Sequence, residues 1–99
     1  MMTMTNGIKK SVLSVKFPKR EEAHFIFVHL SVLYEDGTRK RSYEHIGIRD
    51  DIEDVIKYTA EFYKDRLSKG LLDKVNSKAV SFRLNRVDGI RPRIKEYHL

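Results

Sequence analysis

Four histidines, His24, His29, His45 and His98, are the first groups in this 99-residue chain to invite chemistry. An imidazole can bind a metal or move a proton near neutral pH. None of the four shows the H-x-x-x-H or H-E-x-x-H spacing that brings two rings to one helix face. His24 and His29 fall in one extended stretch at an odd separation, so they point to opposite sides. His29 and His45 can meet across a hairpin, but two ligands fall short of the three or four that zinc needs. Asp50, Asp51, Glu53 and Asp54 crowd four carboxylates into five positions. A metal-dependent nuclease uses such a group in a cleft. Here they read as the first turn of a helix, where the dipole favours negative charge. No phosphate-cradling glycine loop and no nucleophile elbow is present. With no cysteine there is no thiolate nucleophile, zinc–thiolate site or disulfide. The expectation is a non-enzymatic protein with no catalytic residue, metal or cofactor. A small enzyme would instead need a cleft where His29, His45 and Glu44 converge.

The basic residues offer more. Twenty Lys and Arg against 14 Asp and Glu leave a formal charge of +6. Residues 1–50 hold nine basic and six acidic groups, residues 51–75 five and six, and residues 76–99 six and two. The excess therefore belongs to the two ends and avoids the middle. Arg39, Lys40 and Arg41 adjoin a turn, and Arg83, Arg86, Arg91 and Arg93 follow near the C-terminus. Arginine's planar fork suits phosphate oxygens, so these seven are the candidate nucleic-acid-binding residues. Tyr43 and Tyr97 lie close by and are candidates for stacking on bases.

These residues need elements to position them. Residues 11–17 alternate apolar and polar, which predicts a strand. Residues 24–34 predict the strongest strand, with Ile26, Val28, Leu30, Val32 and Tyr34 on one face and Phe25 and Phe27 on the other. Glu35-Asp36-Gly37-Thr38 predicts a hairpin turn, Gly37 accepting the positive φ that a type I′ turn or a G1 bulge requires. A third strand follows over 39–48. A two-residue turn pairs Phe27 with Ile46 and His29 with Glu44, whereas a three-residue turn pairs Phe27 with His45. Apolar matching favours the first. Asp50 as N-cap, Glu53 completing a capping box and Gly70 as the closing residue predict a helix over 51–69. Its acidic residues would repel phosphates, which argues against a helix-turn-helix reader. Residues 71–78 predict a short helical turn, and residues 79–87 alternate again as a strand. Asp88-Gly89 predicts a second tight turn, and residues 90–99 an edge strand broken by Pro92 or an extended tail. The order β-β-β-α-β, with an optional last strand, describes an α+β domain: a small antiparallel sheet with one amphipathic helix on one face. Residues 1–7 are expected to fray and residues 8–99 to form the single domain.

One helix covers only one side of a sheet. Phe25 and Phe27 on the other side must be covered by the C-terminal segment or by a second copy, which makes them the candidate interface of a homodimer. No stretch is long and apolar enough to span a membrane, and no secretion signal is visible, so an intracellular, soluble location is expected.

Glutamine is absent along with cysteine, the three methionines fall in the first four positions, and charge is dense, at 34% of residues. That depletion and enrichment is the compositional mark of proteins that work hot. It gives the basic surface a second explanation, as a solvated, ion-paired, stabilising layer. Charge-dense stretches such as Lys-Arg-Glu-Glu (19–22) and Arg-Lys-Arg-Ser-Tyr-Glu-His (39–45) complete the picture. In length and composition the chain resembles the small uncharacterised proteins of hyperthermophilic archaeal filamentous viruses. That resemblance implies a role in the host cytoplasm or a minor role in a virion with a double-stranded DNA genome. Two functions stay open: an accessory protein that binds nucleic acid through a basic sheet and tail, or an interaction module that engages a host or viral protein.

Overall fold

The computed structural model describes residues 24–48 and 51–99. The segment 1–7, the strand expected over 11–17 and Asp50 lie outside the described residues. Within them the chain forms β1 (His24–Tyr34), β2 (Arg39–Ile48), α1 (Val55–Ser68), β3 (Ala79–Val87) and β4 (Tyr97–His98). The strands make one antiparallel sheet in the order β2-β1-β3-β4, with the helix on one face. The α+β architecture matches the sequence pattern.

Strand β1 is central because both its edges are paired and its even positions are uniformly apolar. Ile26, Val28 and Leu30 are wholly buried, and Val32 and Tyr34 nearly so. Phe82, Leu84 and Val87 of β3 join them, and Thr59, Ala60, Tyr63 and Leu67 of α1 close the core from above. Burying each of these larger apolar side chains contributes roughly 1.5–3 kcal/mol. The buried Thr59 hydroxyl donates back to the Val55 carbonyl at 2.7 Å, so its polarity is satisfied within the helix.

The hairpin corrects the expected register. Phe27 faces His45 and His29 faces Tyr43, as a three-residue loop dictates. The Tyr34 amide donates to the Thr38 carbonyl and the Gly37 amide to the Tyr34 carbonyl, with Gly37 at φ +88°. Asp36 holds this loop by accepting from both the amide and the hydroxyl of Thr38. Matching Phe27 with Ile46 would have satisfied one pair and turned both isoleucines of β2 away from the core. The observed register sets Ile46 opposite Ile26 and buries Ile48 as well. It also turns Arg39, Arg41, Tyr43 and His45 to the face without the helix.

The helix begins four residues later than the capping box predicts. Asp54 is the N-cap, its carboxylate accepting from the amides of Ile56 and Lys57, and no acidic residue lies in the first turn. Asp51 and Glu53 precede the helix instead of opening it. Gly70 ends it as expected: its amide reaches the Leu67 carbonyl, the Leu71 amide reaches Arg66, and Gly70 takes φ +73°. Residues 71–78 are not a helical turn. They make a tight reversal in which Lys74 and Ser77 exchange backbone hydrogen bonds. Lys74 then ties it to the hairpin tip through Asp36 and Thr38. Asp88 and Gly89 both have positive φ, the signature of the expected two-residue turn. Residues 91–96 run unpaired past Pro92, and Tyr97 and His98 finally pair with Phe82 and Ser81.

Candidate nucleic-acid interface

The face of the sheet opposite the helix carries the arginines. Alternation alone would put Arg83 on this face and Arg86 on the core face with Phe82 and Leu84. A β-bulge changes that. Leu30 pairs with Leu84 but His29 pairs with Arg86, leaving Asn85 as the extra residue. Past the bulge the alternation inverts, so Arg86 faces outward and Val87 is buried. The register of β2 and the bulge of β3 thus bring Arg41, Arg83 and Arg86 to adjacent positions around Ser31 and His29 of β1.

The segment after β3 builds the remaining wall. Arg91, Pro92 and Ile94 stand against the sheet and enclose a cleft of about 630 Å³. Its floor is His29, Ser31 and Asn85, and Arg39, Arg41, Arg83 and Arg86 line its sides. Five of the seven sequence-chosen residues therefore meet in one cleft. The other two do not. Lys40 lies on the helix side of β2, beside Leu71 and Leu72, because it alternates with its two arginine neighbours. Arg93 is exposed and does not line the cleft.

Glu96 pins this wall in place. Its carboxylate accepts from the Ser81 hydroxyl, from Arg83 Nε at 2.7 Å and from the Arg39 guanidinium at 3.1 Å. Burial would raise its pKa, but those hydrogen bonds and the Arg39 charge outweigh burial and hold the carboxyl at about 2. Arg41, Arg86 and Arg91 make no ion pair among the described residues. The His29 ring lies within this group of charges. Burial first, and then the charges of Arg41 and Arg86, push its pKa below the ordinary 6.5. Its Nε2 is buried without a hydrogen-bond partner among the described residues. Like charges around a concave surface focus a positive potential and draw anions.

Next to the cleft on the same face lies a row of rings. His29 stacks on Tyr43 at 4.2 Å between centroids, Phe27 lies 5.9 Å from Tyr43, and His45 stands edge-on to Phe27 at 5.3 Å. Tyr43 is 61% exposed. Tyr97, the other candidate for stacking, is instead on the core side, packed flat against Phe82. Phe25 is 71% and Phe27 38% exposed, so the C-terminal segment covers the arginine end of this face and leaves the phenylalanine end open.

His29, His45 and Glu44 do not converge on one cleft. Glu44 points to the helix side, where it accepts from the Tyr63 hydroxyl at 2.6 Å and from Ser42, away from His29 and His45. Among the described residues no three His, Asp or Glu side chains gather as metal ligands. None of the described helices is long and apolar enough to cross a membrane. Comparison of the chain with protein-family models, with curated proteins and with solved structures finds no match.

Proposed function

We propose that the protein is a non-enzymatic accessory protein that binds nucleic acid on the open face of its sheet. The observation that carries the reading is the convergence of Arg41, Arg86 and Arg91 on one cleft, with no carboxylate of the described residues paired to them. A purely heat-stabilising surface would pair its charges. Arg39 and Arg83 follow that pattern through Glu96, and the other three do not. Guanidinium forks without an ion pair among the described residues suit an external anion, and phosphate oxygens match them in geometry.

The test is titration of labelled DNA and RNA oligonucleotides at two salt concentrations. Neutralising three to five phosphates gives a log–log salt slope of roughly −2 to −5. Affinity indifferent to salt would remove the reading. The exposed Phe25 favours a second reading, a homodimer or protein-interaction surface at the other end of the face. Light scattering of the wild type and of Phe25→Ser decides it: a dimer mass that falls to a monomer mass supports that reading.

A further inference from the structure

We infer that the open face selects unpaired strands, the arginine cleft holding a phosphate while the adjoining rings, Tyr43 foremost, stack on its base. This rests on the nucleic-acid reading and adds strand preference and the residues that set it. The cleft and the ring row are one continuous surface, because His29 belongs to both: it floors the cleft and stacks beneath Tyr43. Arg86 sits directly across β1 from that stack, since His29 pairs with Tyr43 on one side and Arg86 on the other. Arg41 stands two residues from Tyr43 along β2 and Arg86 stands two strands from it, so a phosphate held between them has an exposed aromatic within about 7–10 Å.

Rings in such a row serve a ligand that is flat as well as anionic. An isolated phosphate has no use for Tyr43. A base in a duplex has both π-faces covered by its neighbours, whereas an unpaired base presents them. Charge complementarity favours a nucleic acid over a protein here, since the cleft that adjoins the rings at His29 is lined by five arginines. Of the five tyrosines, Tyr34 and Tyr63 are buried, and Tyr58 and Tyr97 are packed against Phe62 and Phe82, so Tyr43 alone is positioned to report stacking.

The experiment compares a 12-nucleotide single strand, as DNA and as RNA, with a blunt duplex of the same sequence, by anisotropy at 50 mM salt. Wild type is expected to bind the single strand at least tenfold tighter than the duplex, with its tyrosine emission quenched. Tyr43→Ala should cost the single strand roughly tenfold and leave duplex affinity nearly unchanged. Tyr43→Phe should restore affinity while most of the quench disappears. Equal affinity for both forms, or an unaltered Tyr43→Ala variant, overturns strand selection while leaving the nucleic-acid reading intact. No binding of any oligonucleotide removes both. A dimer that Tyr43→Ala dissociates assigns the rings to a second copy and also overturns the inference.

Discussion

The two faces of the sheet are built from alternate residues of the same strands, yet they settle their polar groups in opposite ways. On the helix side Glu44 accepts from Tyr63 and Ser42 at the margin of the apolar core. On the open side Glu96 engages two arginines, while Arg41, Arg86 and Arg91 have no ion pair, and the buried Nε2 of His29 no hydrogen bond, among the described residues. An internal network that is complete contributes stability. Under the proposed function, one that stops short of completion in a concave and positively charged place is completed by a bound anion.

The contrast breaks most visibly in the core. Phe82→Ala, at a wholly buried position between helix and sheet, should cost about 3–5 kcal/mol in urea unfolding, because transfer and cavity terms add. Tyr63→Phe removes only the hydroxyl that serves Glu44 and should cost about 1–3 kcal/mol.

Glu96 tests the boundary between the faces. With its carboxyl held at about 2 against an ordinary 4.5, the folded state binds its proton less readily than the unfolded one. Its contribution is therefore complete above pH 4.5 and is lost as pH falls through about 2. It amounts to at most about 3 kcal/mol. Urea titrations across this range should show Glu96→Gln less stable at neutral pH and flatter towards acid than wild type.

How much of this was legible in the residues depends on what each feature requires. The central strand, the helix and both turns announce themselves through many agreeing positions, such as the five even residues of β1 or Asp88-Gly89. The site was only half legible, since its residue types were visible but its assembly was not. One extra loop residue sends Arg39 and Arg41 outward, and one bulged Asn85 sends Arg86 after them. Each is a change of a single residue in count, and local alternation cannot detect it. Apolar matching at Phe27 pointed the wrong way, because it weighed one exposed pair against two isoleucines that the core needed. The N-cap failed for a similar reason: Asp50, Asp51 and Asp54 are chemically alike, and the chain leading into the helix decides among them.

The open face should respond weakly in stability. His29 has its pKa lowered by burial and by Arg41 and Arg86, so the folded state resists its protonation. The stability this preserves is full above about 6.5 and is lost as pH drops through the lower folded value. His29→Asn should flatten that part of the profile in thermal melts. Arg41→Ala and Arg86→Ala, which break no ion pair among the described residues, should each change unfolding free energy by no more than about 0.5 kcal/mol.

The division between a completed face and an expectant one is tested most directly by the Arg41→Ala/Arg86→Ala/Arg91→Ala variant, with oligonucleotide affinity followed from 50 to 200 mM salt. That variant should unfold at nearly the wild-type urea concentration, with a salt slope shallower by roughly 2 to 3 and affinity falling accordingly. An unchanged slope in a folded variant would contradict that division.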